Sequence, residues 1–352
     1  MTTPIEPGLF EVAIDDYHRD PCPTPSLNNS LIPYLLQCPA KARARHPRLN
    51  PAARPDESRK MDMGSVCHKI RLGRGREIHV IDADNYRTKA AQEARDAARA
   101  AGLIPCLTAD LAETEAMIRA CDRQLAEFGL DPFSGGKSEL ALLWQDVAGC
   151  WGRSLIDHLR DDLPTWEGWD YKTTERSVQP ESPAMGAFIV EQGYDTQFAM
   201  QQRGLVTLFP SLAGRLKWRL LFQETEEPYL ISIVEPDEAT MAIACRKVDY
   251  ALNLWADCLE NDNFPGYTQG IVTSTHAGYL ADRWLAREIE ESEIIEQEPQ
   301  LPPKRGPGRP FGSKNVPKKR LMFEMRQRRA EQRQRANEKP ELKPGQNPLE
   351  GG

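Results

Sequence analysis

The chain has 352 residues, 40% of them hydrophobic, with 45 Lys and Arg against 52 Asp and Glu. That length holds one large domain or two ordinary ones, and the apolar content is slightly low for a wholly compact chain, so part of it is expected to lie outside a packed core. The eight cysteines (22, 38, 67, 106, 121, 150, 245 and 258) contain no C-x-x-C pair, which argues against a zinc ribbon and a disulfide framework.

The elements follow in chain order. The first twenty residues hold no apolar stretch of the signal-peptide kind, and no run of 18 apolar residues occurs anywhere; a soluble, cytoplasmic protein with no membrane partner is expected. Residues 25–47 predict a short helix, with Ser26 or Asn28 near its N-cap and Pro39 near its end. A second helix is predicted over 62–72. The alanine-rich stretch 82–102 opens with acids and stops at Gly102, which predicts a third. Residues 110–129 predict a fourth, with Leu111, Met117, Ile118, Cys121 and Leu125 as its apolar positions. Strand-like runs follow at 139–147, 154–159 and 168–174, then "LKWRLLFQE" and "PYLISIVEP" around an acidic turn. Between them "GYDTQFAMQQRGLVTLF" suits a helix packed on the sheet, and 237–262 a long closing helix.

This order predicts an α/β or α+β domain of about 250 residues, a central mixed sheet flanked by helices. The expected organisation is an N-terminal arm (1–24), the folded domain (25–284), an acidic then proline-rich linker (285–303) and a basic tail (304–352). The tail is poor in apolar residues and is expected to be disordered when free. No internal repeat is present.

The net charge of −7 conceals a segregation. Residues 304–339 carry 13 Lys and Arg against 3 Glu, a net of +10, which leaves 32 basic and 49 acidic residues, −17, for the rest. An acidic body with a basic tail suits a protein that brings the tail to a polyanion. The body itself would need a local positive groove or bridging metal ions to touch nucleic acid.

Asp170 and Lys172 stand two apart in "GWDYKTTERS", so in a strand they emerge on one face. Taken alone the pair reads as a surface ion pair worth about 0–1 kcal/mol. It also reads as half of a metal-dependent phosphodiesterase site. Asp157, thirteen residues upstream, is an acid in an apolar strand, with room for a turn and a return strand that would bring both carboxylates onto one Mg²⁺. Lys172 could then orient the attacking water and stabilise charge on the phosphate. Glu139 at a strand start, His68 in "GSVCH" and Gln197 on the following helix could complete the site, although each alone reads as an ordinary helix or surface residue.

The ordered set is more specific than any member. Gly64-x-x-x-His68, Glu139, Asp157, D-x-K-T-T at 170–174 and Gln197 resemble the PD-(D/E)xK nuclease superfamily, in particular the branch holding exonuclease VIII and the RecB-type nuclease domains of phage and prophage recombination loci. "SLNNSLIPYLLQCPAKARA" is similar to its lead-in helix, "YDTQFAMQQRG" to its glutamine helix and "LWADCLENDNFPGY" to its closing segment; the resemblance spans roughly residues 25–270. It implies a PD-(D/E)xK core in which His68, Asp157, Asp170 and, less directly, Glu139 hold Mg²⁺ or Mn²⁺. Lys172 would be the catalytic lysine, and Gln197 would position it or the DNA backbone. The implied reaction is phosphodiester hydrolysis, with duplex DNA resected from an end for recombination or repair. A single-strand annealing recombinase is the implied partner, and homo-oligomerisation stays open. A nuclease-fold DNA-binding scaffold without turnover and a structure-specific endonuclease are the alternatives.

Three departures are visible. Gln201 stands where the glutamine helix commonly has a tyrosine, and Leu155 lies where basic residues commonly precede the middle aspartate, Arg153 being the nearest. Only Cys245 and Cys258 occur late in the chain, so no iron–sulfur cluster is expected.

In the tail, "KRGPGRPFGSKN" (304–315) sets a Gly-Arg-Pro core between Lys304 and Arg305 on one side and Lys314 on the other. Gly and Pro keep the chain narrow and extended, which suits the minor groove of A·T-rich DNA. The segment resembles an AT-hook with Arg309 inserted, departing from it at Pro307; a generic polybasic tail is the other reading. Residues 318–336 could form a basic helix on phosphates, and about six such contacts would give a salt slope near −5.

Overall fold

The computed structural model describes residues 6–53, 58–268, 270–275 and 278–296, Pro183 and the last seven by backbone alone. Two compact units divide the chain between Val272 and Thr273. The first opens with a strand β1 (Gly8–Glu11), a helical turn α1 (Ile14–His18) and a two-residue strand β2 (Leu27–Asn28). Asn28 then caps a 3-10 turn by accepting a hydrogen bond from the Leu31 amide. The single helix expected over 25–47 is two, α2 (Ile32–Gln37) and α3 (Pro39–Arg45). They part at Cys38, whose extended backbone (φ −173°, ψ 119°) follows from the clash of Pro39 with a helical predecessor.

Helix α4 (Arg59–Leu72) is capped by Ser58 and stopped by Gly73 in the left-handed region. The strand β3 (Ile78–Ile81) precedes α5 (Lys89–Ala100), which Thr88 caps; the acids of 82–88 are a lead-in, not helix as expected. A further strand β4 (Ile104–Leu107) pairs parallel to β3 and runs into α6 (Thr108–Glu127). The chain then lays down β5 (Lys137–Gln145), β6 (Trp151–Arg160) and β7 (Trp166–Thr174). Helices α7 (Pro183–Glu191) and α8 (Tyr194–Leu208) supply the crossover that the parallel β7–β8 pair requires. The unit's last elements are β8 (Leu216–Glu224), β9 (Ile231–Val234) and α9 (Glu238–Glu260).

The main sheet is mixed, in the order β1-β5-β6-β7-β8-β9, with β2 added parallel to β6. Helices cover both faces. Phe198, Met200 and Leu205 of α8 and Val248, Leu252 and Trp255 of α9 pack with Leu142, Trp144, Trp218 and Phe222. On the other face Cys67 of α4 and Met117, Cys121 and Leu125 of α6 pack with Trp169, Tyr171 and Leu221. Gly204 lets α8 lie this close, because a Cβ there would come within 2.6 Å of the Trp144 ring and 2.7 Å of Leu142. The chain is therefore a mixed α/β fold with a central mixed sheet flanked by helices.

The N-terminal stretch differs from the expected arm. β1 pairs antiparallel with β5, and Tyr17, Asp20 and Cys22 are buried. Arg153, itself 1% exposed, donates to Ser26 Oγ at 2.8 Å and to the Tyr17 carbonyl at 3.1 Å, and pairs with Asp20 at 3.4 Å. Four separated segments meet there, since His46 Nε2 lies 3.2 Å from Asp20 and Trp255 donates to the Pro25 carbonyl. The second unit, among its described residues, holds α10 (Gly278–Glu296), so residues 285–296 are helical where a linker was expected. Among the described residues no helix is long and apolar enough to cross a membrane.

Candidate active site

The acidic centre sits where two strands part. β6 and β7 pair through Arg160–Glu167, Leu159–Gly168 and His158–Trp169, and the ladder ends there. Asp157 and Asp170 are the next residue on each strand. Instead of a ladder bond, the Tyr171 amide donates to Asp157 Oδ2 at 3.2 Å. The Leu155 carbonyl on the freed stretch of β6 accepts from Gln201 Nε2 of α8 at 3.0 Å. Side chains thus replace the backbone partners that a continuous sheet would supply.

On the other side of Asp157, Ser138 faces His158 and Leu140 faces Ile156 across β5 and β6. Glu139 therefore stands opposite Asp157. Its backbone lies at φ +55°, the left-handed region, which costs a residue with a Cβ about 1–2 kcal/mol. Strain of this kind persists where the surroundings impose it, and it is common at functional sites.

His68 comes from α4, over the end of β7. Its Nε2 donates to the Tyr171 carbonyl at 2.8 Å, which turns Nδ1 toward the carboxylates. Burial lowers the His68 pKa, but Asp157, Glu139 and Asp170 outweigh it and hold the ring above the ordinary imidazole value. A cation bound at Nδ1 would therefore displace the proton there. Nδ1 is 3.7 Å from Asp157 Oδ2 and 3.9 Å from Glu139 Oε1. One ligand atom from each of His68, Glu139 and Asp157 lies within 4.8 Å of the others. Octahedral ligands of a small divalent cation are about 3 Å apart when adjacent and about 4 Å when opposite. The three atoms stand somewhat wider apart than bound ligands, so small side-chain rotations would bring them onto such an ion, and the Nε2–carbonyl bond orients the ring for ligation through Nδ1.

Asp170 and Lys172 complete the cluster. Lys172 Nζ lies 2.7 Å from Asp170 Oδ2 and 3.5 Å from Asp157 Oδ2. Gln197 Nε2 of α8 donates to Asp170 Oδ1 at 2.6 Å. Asp170 Oδ2 is buried and accepts no well-formed hydrogen bond, so the lysine ion pair is its partner. Burial and the neighbouring Asp157 carboxylate push the Asp170 pKa up to about 6. Asp157 goes the other way: burial raises it, but Lys172 and His68 outweigh burial and hold it below the usual carboxylate range. The Lys172 ammonium is desolvated too, yet Asp157 and Asp170 raise its pKa above the ordinary lysine value. Three carboxylates against Lys172 and His68 leave a negative centre that a cation would relieve.

All six of the body's predicted site residues converge, but in two subsets. His68, Glu139 and Asp157 form the triangle, whereas Asp170 is turned toward Lys172 and Gln197. Arg153 and Gln201 lie elsewhere: one is buried in the N-terminal network, and the other is bonded to the Leu155 carbonyl. Tyr194 was not anticipated; its ring centroid is 5.7 Å from Lys172 Nζ. Its place three residues before Gln197, on the same helix, is the one sequence clue. Lys304, Arg305, Arg309 and Lys314 lie outside the described residues.

No family model matches the chain, and no curated protein matches it in sequence. Among solved structures, a protein of Eubacterium rectale named provisionally as an exonuclease superposes with a TM-score of 0.51 at 12% identity, covering 76% of this chain and 97% of that one. A second, SSO0001, reaches a TM-score of only 0.21 at 11% identity over 55% of this chain and 86% of that one, and bears no weight. This chain thus shares the overall fold of the Eubacterium rectale protein, with an acid–histidine–lysine cluster at the parting of its central strands.

Proposed function

We propose that the chain is a divalent-metal-dependent deoxyribonuclease of the PD-(D/E)xK kind, acting as an exonuclease on duplex ends. The observation that carries the reading is the meeting of His68, Glu139, Asp157, Asp170 and Lys172, drawn from α4 and three strands, at one break in the sheet. The shared fold with a provisionally named exonuclease supports the reaction class.

His68, Glu139 and Asp157 would hold Mg²⁺ or Mn²⁺, with Asp170 joining them once a cation draws it from Lys172. The bound ion would supply a water of lowered pKa and charge for the phosphate. Lys172 would hold the water and neutralise charge on the phosphate. Gln197 fixes the rotamer of Asp170 and, through it, the lysine. The tail segment 304–315, with Arg309 in an A·T-rich minor groove and Lys304, Arg305 and Lys314 on phosphates, would keep the body near its substrate. A cytoplasmic role in phage-type recombination beside an annealing recombinase fits this chemistry.

The test uses linear duplex labelled at either end, with Mg²⁺ or Mn²⁺, comparing wild type with Lys172→Ala. Progressive release of label by wild type alone is expected. Intact DNA in every form, with binding retained, would replace the enzyme by a DNA-binding scaffold of the same fold. Attack on closed circular DNA would indicate an endonuclease.

A further inference from the structure

The longest acid-free stretch of the acidic body carries five basic residues. Between Asp20 and Asp56 there is no acidic residue, while Lys41, Arg43, Arg45, Arg48 and Arg54 fall inside it. Everything outside residues 304–339 carries −17 together, so this concentration stands against the prevailing charge. Three of the five lie on α3 and each rests on an aromatic ring. Arg45 is 3.9 Å from the Tyr34 ring centroid, Arg43 is 5.1 Å from that of Phe264 and Lys41 is 5.1 Å from that of Tyr267.

The rings are held in place to do this. The Ala40 amide and the Cys38 thiol both point to the Pro265 carbonyl, at 3.2 and 3.4 Å, which ties the segment after α9 to the start of α3. Carboxylates do little to neutralise the cations. Arg43 has Asp262 at 3.7 Å, and Lys41 bonds Gln37. Arg45 has no ion pair among the described residues. A guanidinium stacked on a ring keeps its N–H edge free and loses little further entropy when it meets a phosphate.

Helix α2 lies between α3 and the start of α8. Gly193 caps α8, and a Cβ on it would touch Pro33 of α2 at 3.5 Å. Tyr194 follows and covers Lys172, while Tyr34, the residue after Pro33, carries Arg45. We infer that α3 and the Phe264–Tyr267 segment are a backbone-binding track for DNA, delivering the strand past Tyr194 to the centre. Because the ring faces are occupied by cations, the track grips phosphates without stacking bases, and it is sequence-independent. It rests on the proposed nuclease reading for the choice of DNA as ligand.

The test is fluorescence anisotropy of the full chain on a labelled duplex in EDTA, where turnover is silent, over a range of salt. Each phosphate contact contributes about 0.9 to the slope of log K against log salt, so Lys41→Gln/Arg43→Gln/Arg45→Gln should flatten it by about 2–3 and Arg45→Gln alone by about 1. A control of equal charge change, Lys89→Gln/Arg95→Gln/Arg119→Gln, removes cations that sit beside Glu93, Asp96 and Glu115 and should leave the slope unchanged. An unchanged slope in the α3 variants, or the same flattening in the control, overturns the track. Cleavage plays no part in this readout, so a chain that never cuts DNA would sink the nuclease reading and leave this result standing.

Discussion

Glu139 offers a prediction in which stability and function move in opposite directions. Its φ of +55° is set inside a strand, where a left-handed residue with a Cβ carries about 1–2 kcal/mol of strain. Glu139→Gly removes that strain but adds about 0.5–1 kcal/mol of unfolded-state freedom. Glu139→Ala keeps the strain and loses the same carboxylate. The two variants therefore share every electrostatic change, and their difference isolates the backbone. Glycine should be the more stable of the two by about 1 kcal/mol, or about 2–4 °C in melting temperature for a unit of this size. Urea and thermal unfolding in EDTA measure it, and both variants should lose metal-dependent cleavage. Alanine matching or exceeding glycine would show that residue 139 is not held in a costly conformation, and the strain argument would fall.

Other consequences follow from the same geometry. With Mn²⁺ at about one hundred times its dissociation constant, wild type should gain about 2.7 kcal/mol, and His68→Ala or Asp157→Ala should lose most of that gain in thermal melts with and without EDTA. Gln197→Ala, which strips the donor at 2.6 Å from Asp170, should lower the cleavage rate about 10–100-fold while anisotropy reports unchanged DNA affinity. Gly204→Ala, whose new methyl would meet Trp144 and Leu142, should destabilise by about 1–3 kcal/mol in urea unfolding. Burial raises the Asp20 pKa, but His46, Arg153 and Ser26 outweigh burial and hold it below the usual carboxylate range. Its contribution is therefore whole above the unfolded value of about 3.9 and is lost as pH falls through the folded one. Asp20→Asn should consequently cost more stability at neutral pH than in acid, as unfolding curves at both pH values would register.

Elements with strong local patterns were legible in the sequence. "LKWRLLFQE" coincides with β8, and "GYDTQFAMQQRGLVTLF" matches α8 within a residue at each end. The site residues were approachable through the resemblance of their order to a known motif set, although only the folded sheet brings Glu139 opposite Asp157. What stayed hidden depends on distant partners. β3 and β4 have four residues each and stand beside long helices that dominate any local reading. The N-terminal stretch looked like an arm because nothing near it in sequence announces that Arg153 will bury itself against Tyr17 and Asp20. Glu139's left-handed backbone has no side-chain signature either, since glycine or asparagine is the residue such a position advertises.

The N-terminal network also bears on how the molecule is made. Pro25 accepts a hydrogen bond from Trp255, 230 positions later, and β1 lies on β5 more than a hundred residues downstream. During synthesis the first segment therefore leaves the ribosome long before its partners exist, and its network is complete only when α9 emerges. Loop closures of that span come late and slow folding. An emerging chain would keep the apolar faces of β5 and β6 uncovered in the interval.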